Sequence, residues 1–143
     1  MNIHTIGHSN RKIGEFIDVL RLYEIETVVD VRRFPVSKFS HFDKKNLAEH
    51  LPKSGINYFH LENLGGYRGS YIRHMKSKTW KDSFERLKVM ALKSSTVIMC
   101  AEKLPWKCHR RFIALKLQEQ GWQVIHILNH KTWIDSRRLS EFK

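Results

Sequence analysis

Thr96-Val97-Ile98-Met99-Cys100 is an apolar, partly β-branched run that ends on a cysteine, and the segments on its C-terminal side decide the fold. Residues 107–120, opened by Cys108-His109-Arg110 one position in, predict a helix, and Gly121 stands where a C-cap glycine belongs. Residues 122–128 then return as a second apolar strand. A buried strand, a helix and another buried strand in succession make a parallel crossover unit.

The same alternation recurs upstream. Residues 3–6 read as a short first strand. Residues 11–23 set Ile13, Phe16, Ile17 and Leu20 at helical spacing, with Ser9 or Asn10 available as the cap. Residues 26–31 are β-branched and read as a buried strand. Residues 44–51 predict a helix stopped by Pro52, residues 56–61 a third strand, and residues 80–92 a helix with Phe84, Leu87 and Ala91 on one face. There is no internal repeat and no linker. The expectation is an α/β fold: a single layered domain over residues 1–143, with a mainly parallel sheet of about five strands flanked by helices.

Composition narrows the function classes. A chain of 143 residues can bury a core without disulfide or metal staples, and two cysteines are too few for a disulfide framework. No apolar run approaches the roughly 18 residues of a membrane span, and the first residues lack the pattern of a secretory signal, so a cytoplasmic location is expected. The net charge is +12 and is unevenly placed: residues 1–72 carry ten basic and eight acidic side chains, residues 73–143 sixteen and six. Such asymmetry favours a polyanionic partner, nucleic acid or a phosphorylated small molecule, over a membrane surface. Oligomeric state is not written in the sequence.

In an open parallel sheet, ligands bind beyond the carboxyl ends of the strands. There this chain sets His8-Ser9, Asp30-Val31-Arg32, Gly65-Gly66, Glu102 and Cys108-His109-Arg110. Cys108 is the sharpest candidate: a thiol at a helix N-terminus among His109, Arg110 and Arg111 has its thiolate favoured and is a candidate nucleophile, against the plainer reading of a small buried residue. His109 suits general acid/base work or phosphate donation. Arg110 suits bidentate phosphate binding, and spacing alone does not separate it from Arg111. Asp30 and Glu102 could divide acid and base roles, or be taken up in ion pairs with Arg32 and Lys103. Ser9 reads as the cap of the first helix ahead of a nucleophile, and the turn after Gly7 can still cradle phosphate with His8, Ser9 and Arg32.

Around these lie two basic, aromatic-rich segments. Residues 32–42 interleave Arg32, Arg33 and Lys38 with Phe34, Phe39 and Phe42. Residues 65–81 carry Arg68 and Arg73 with Tyr67, Tyr71 and Trp80. Cations that track a backbone beside stacking rings are the recipe for nucleic-acid contact; rings that fill the core are the alternative. Gly65 and Gly66 signal mobility or a close backbone approach. Cys100 and Cys108 lack paired metal-ligand spacing, and His41, His50, His60, His74, His126 and His130 show none either, so no metal or organic cofactor is required.

Taken together, Thr5-Ile6-Gly7-His8-Ser9, Asp30-Val31-Arg32 with Pro35 and Ser37, Leu64-Gly65-Gly66, Cys100-Ala101-Glu102 and Cys108-His109-Arg110 resemble the DUF488 family, a family of unknown function. The resemblance runs from the first strand to about His126-Ile127. It implies a compact α/β domain with a site built from these positions, and it supplies no reaction. The chain departs from the family pattern at Lys38, where arginine is commoner, and in its short segment after Gly66.

These residues lead to one expectation and two rivals. The expectation is a small hydrolase or transferase acting on nucleic acid or a nucleotide-like phosphate ester. Asp30, Glu102, Cys108 and His109 would be catalytic; His8, Ser9, Arg32, Gly65, Gly66, Arg68, Arg73 and Arg110 would bind phosphate or nucleic acid. The rivals are a non-catalytic nucleic-acid-binding module and a thiol-dependent redox or transfer protein using Cys108.

Overall fold

Five parallel strands and one antiparallel edge strand form a single sheet in the computed structural model, which describes residues 1–128 and 131–136. His130 lies outside the described residues. The strands are β1 (Asn2–Gly7), β2 (Thr27–Asp30), β3 (Asn57–His60), β4 (Thr96–Cys100), β5 (Gln123–Ile127) and β6 (Thr132–Ile134), in the order β3-β2-β4-β1-β5-β6. The helices are α1 (Ile13–Leu22), α2 (Lys44–Lys53), α3 (Tyr71–His74), α4 (Lys78–Lys93) and α5 (Arg110–Glu119). The α/β class and the parallel sheet are as the sequence predicts.

Because side chains alternate across a strand, each central strand feeds two cores. Val28, Val97, Met99 and Ile6 pack with Phe16 and Leu20 of α1 and Leu47 and Leu51 of α2. Val29, Ile98, Cys100 and Ile3 pack on the other face with Trp80, Phe84 and Leu87 of α4 and Ile113 and Leu117 of α5. β2 and β4 are neighbours, yet the chain leaves β2 toward α2 on one face and leaves β4 toward α5 on the other. That divergence opens a crevice at their carboxyl ends, the place where such sheets take ligands.

Four local expectations are corrected. Ser9 does not cap α1: Lys12 is the N-cap residue, without a side-chain bond, and Ser9 instead takes a positive φ of 51° in the turn after β1. Pro52 does not stop α2 but sits inside it; the helix ends a residue later, where Gly55 with φ 77° turns the chain into β3. α5 starts at Arg110, because Pro105–Lys107 forms a separate 3-10 turn. β5 does not close the sheet: β6 pairs with it antiparallel, Ile125 opposite Ile134. Among the described residues, no helix is long and apolar enough to cross a membrane.

Candidate active site

The loops after β2 and β4 and the start of α5 enclose an open cleft of about 510 Å3, with Cys100, Cys108 and His109 on one side and Arg33, Phe34 and Gly66 on the other. Glycine makes this approach possible. A Cβ at Gly65 would collide with the backbone nitrogen and Cα of Arg33, and a Cβ at Gly7 with the carbonyl group of Glu102. Of the two readings offered for the Gly65-Gly66 pair, the close backbone approach is the one realised at Gly65. At Gly66 there is room for a methyl, the nearest atom being Nδ1 of His109 at 3.8 Å.

Cys108 Sγ lies 2.8 Å from Cys100 Sγ and 3.6 Å from His109 Nδ1. Nε2 of His109 lies 3.0 Å from the carbonyl oxygen of Val31, and a carbonyl can only accept. The ring proton of neutral His109 is therefore held on Nε2, which leaves the Nδ1 lone pair facing the Cys108 sulfur. Tyr71 backs the imidazole, its ring stacked at 5.6 Å and 19°. The Tyr71 hydroxyl is tied down in turn, donating to Leu64 O and accepting from Trp80 Nε1. This is the geometry of an activated thiol with an oriented base.

The two thiols titrate apart. Cys108 is lowered to about 4, first because Cys100 donates to its thiolate, against the opposing effect of burial, with His109, once its Nδ1 has taken up the Cys108 proton, and the Arg110 backbone N–H at the head of α5 adding to the lowering. Cys100 is pushed well above the usual thiol range, chiefly by burial and by keeping its proton in a hydrogen bond to Cys108. One proton is thus shared in a pair whose charge rests on the partly exposed sulfur.

Arg110 and Arg111, alike in sequence, are separated by the structure. Arg110 is fully buried; its guanidinium donates to Cys100 Sγ at 3.3 Å and to Lys103 O at 2.9 Å, and its Nε has no partner among the described residues. It forms no carboxylate ion pair among those residues. Instead of reaching out to phosphate, as expected, it sits against the Cys100 sulfur, at the back of the thiol pair. Arg111 is half-buried and donates to Trp106 O.

Asp30 and Arg32 are withdrawn from the cleft chemistry. Arg32 clamps the carboxylate with two bonds of 2.9 and 2.8 Å, and its remaining donors reach Phe42 O and His8 Nε2. The Tyr58 hydroxyl adds a bond to Asp30 of 2.6 Å. Both charges are buried, Asp30 completely. The ion-pair alternative is the one realised here, and Arg32, though at the cleft wall, has no free fork for phosphate. His8 belongs to the same cluster: burial lowers it to about 4, its Nδ1–H donates to Ser9 O, and its ring stacks on Phe42 at 4.3 Å. Glu102 is not paired with Lys103; it is exposed at the cleft and accepts from the backbone N–H of Leu104.

The aromatic segments divide. Phe42 and Trp80 fill the core, whereas Phe34 is 76% exposed at the cleft edge. Tyr71 is buried; Tyr67 is exposed, stacked on His74 at 4.3 Å with the Arg33 guanidinium over its ring. Arg68 and Arg73 are exposed and do not line the cleft. Sequence reasoning missed Cys100 and Tyr58 as site residues, and offered Tyr71 only as a stacking ring for nucleic acid or a core residue. Only Cys100 left a signal, by ending a buried strand at the sheet's ligand-binding edge. Among the described residues, no three His, Cys, Asp or Glu side chains are grouped to hold a metal ion.

The fold and the cleft define a parallel-sheet α/β protein with a cysteine–histidine cluster, its candidate site, at the strand ends. The chain belongs to the family described as "Domain of unknown function DUF488", whose model matches residues 12–70 and 67–117. Comparison with curated proteins and with solved structures finds no match.

Proposed function

We propose that this protein is a cysteine-dependent hydrolase or transferase acting on a nucleotide-like, phosphate-bearing substrate, with Cys108 as nucleophile and His109 as its base. One observation carries the reading: Cys108 Sγ lines an open cleft while in contact with Cys100 and His109 Nδ1, and the His109 ring is oriented from behind by Val31 O. His109 Nδ1 takes the Cys108 proton, the thiolate forms a bond to the electrophilic centre as the bond to the leaving group breaks, the leaving group departs with that proton from Nδ1, and Glu102 takes a proton from the water or acceptor that displaces the Cys108 sulfur and releases the covalent intermediate. Arg33 and Lys107 supply positive charge at the cleft, and exposed Phe34 and Val36 supply an apolar wall, which together suit an anion joined to a flat ring.

Alkylation and turnover test this together. Iodoacetamide at about pH 6 is expected to modify Cys108 far faster than an ordinary thiol, which is mostly protonated there. In a screen of nucleotides and nucleic acids, Cys108→Ser and His109→Ala are expected to abolish turnover while the circular dichroism spectrum is kept. An unreactive Cys108, or turnover by Cys108→Ser at the wild-type rate, overturns the reading.

A second reading, a nucleic-acid-binding surface, is favoured by exposed Arg68 and Arg73, which form no ion pair among the described residues, beside the exposed ring of Tyr67. It expects Arg68→Ala and Arg73→Ala to weaken binding and flatten its salt dependence while Cys108→Ser leaves binding intact.

A further inference from the structure

We propose that Cys100 is a resolving thiol for Cys108, so that a hydroperoxide entering the cleft converts the pair into a reversible intramolecular disulfide. The inference rests on the reactive-thiol part of the proposed function and adds an activity to the same site.

The geometry is specific to this chemistry. The sulfurs are in contact at 2.8 Å, so joining them needs a small side-chain movement rather than a rearrangement of β4 against α5. They differ in access: Cys108 is partly exposed at the cleft, whereas Cys100 is 1% exposed at the end of β4. A small peroxide therefore meets Cys108 first, and only Cys100 can reach the product. Arg110 explains how the buried partner reacts. An arginine placed against a thiol and without a carboxylate is costly unless negative charge appears beside it. Such charge develops on Cys100 as it gives up its proton.

The steps balance. The Cys108 thiolate attacks one oxygen of hydrogen peroxide; an S–O bond forms, the O–O bond breaks, and the departing hydroxide takes a proton from solvent. Cys108 is now a sulfenic acid. Cys100 sulfur then attacks the Cys108 sulfur; the S–S bond forms, the S–O bond breaks, and the hydroxide leaves as water with the Cys100 proton. Two electrons pass from the dithiol to the peroxide, and two molecules of a small thiol restore the reduced pair through a mixed disulfide. Oxidation removes the negative charge of the thiol pair that Arg110 touches through Cys100, so the reduced form is the favoured partner of this cation. The disulfide is accordingly expected to be reduced readily by glutathione, as for other pairs whose reduced state is stabilised.

The test uses the full chain, reduced, freed of small thiols and treated with hydrogen peroxide, then alkylated under denaturing conditions and weighed by mass spectrometry. Wild type is expected to lose both free thiols and two hydrogens in mass. Tryptic cuts after Lys103 and Lys107 separate the cysteines, so a linked Cys100–Cys108 peptide pair identifies the bond. Cys100→Ser is expected to stop at a sulfenic acid on Cys108 that dimedone traps, and Cys108→Ser to keep Cys100 as a free thiol over the same time. Accumulation of sulfinic acid on wild-type Cys108 without a linked pair, or linkage only between chains, overturns the proposal. Alkylation of untreated protein at about pH 6 separates the two readings: a reactive Cys108 that forms no disulfide defeats the resolving role alone, and an unreactive Cys108 defeats the nucleophile as well.

Discussion

Nε2 of His109 meets the carbonyl oxygen of Val31 at 3.0 Å, a bond that joins the N-cap of α5 to the residue just past β2. It does two things at once. It closes one wall of the cleft, and it decides which ring nitrogen is left to face Cys108. A histidine free to flip would present either nitrogen; this one presents Nδ1.

Removing that ring is expected to raise the Cys108 titration midpoint from about 4, since His109 is one of the groups that lower it. An increase of about one to two units is the scale of losing a hydrogen bond and a neighbouring partial charge. Thiolate absorbance in the ultraviolet, followed against pH in wild type and His109→Ala, measures it directly. Cys100→Ala is expected to shift the midpoint further than His109→Ala, because the Cys100 bond is the largest lowering effect, and Cys100→Ser, which keeps a donor, to shift it less than Cys100→Ala.

Stability is expected to fall with acid in two windows. His8 is held neutral, with a folded value of about 4 against 6.5 unfolded, so between those values the unfolded chain binds the extra proton and stability is lost as pH falls. A shift of that size corresponds to at most about 3 kcal/mol. Cys108, about 4 folded against 9 unfolded, has the same sign over the wider window from 9 down to 4. Urea midpoints measured against pH are expected to lose the lower window's excess slope in His8→Gln and the broader slope in Cys108→Ser; retention of both slopes in both variants contradicts the assignment.

The buried Asp30–Arg32 pair is expected to matter to folding rather than to chemistry. Asp30→Asn leaves a buried guanidinium without its counter-charge, at a cost of about 3–5 kcal/mol. Arg32→Lys is expected to fall short of wild type as well, because an ammonium cannot make the two-pronged bond. Denaturant unfolding measures the loss, and the alkylation rate of Cys108 in the fraction that stays folded is expected to match wild type.

Gly65 and Gly66 are expected to differ in their tolerance of alanine. Gly65→Ala sets a methyl into the Arg33 backbone and is expected to cost about 1–3 kcal/mol, with slower Cys108 alkylation because that wall of the cleft moves. Gly66→Ala has space beside His109 and is expected to stay near wild type in thermal melting.

Much of this molecule was legible along the chain. The run 96–100 appears as β4 with the same ends, and the helical spacing of Ile13, Phe16, Ile17 and Leu20 appears as α1, with Phe16 and Leu20 in the core. Periodicity is local, so it survives being read one residue at a time. The sixth strand was not legible: Thr132–Ile134 is three residues long and half exposed, and it is a strand because β5 offers it an edge. Ser9 failed as a cap for a similar reason. The backbone N–H groups of His8 and Ser9 are drawn to Cys100 O and Ala101 O, and α1 begins only after the chain has turned away from that loop.

The amino-acid order by itself determined the alternation of strand and helix, the two-faced core, and the position of Cys108-His109 beside a helix start, because each depends on neighbours a few bonds away. Tertiary structure alone decided that Arg32 faces Asp30 instead of a ligand, that Arg110 lies behind the sulfurs while Arg111 does not, and that Cys100 joins Cys108. These outcomes turn on which strands lie side by side and which groups lose their water, and a charge or a thiol changes its chemistry with the partners that replace that water.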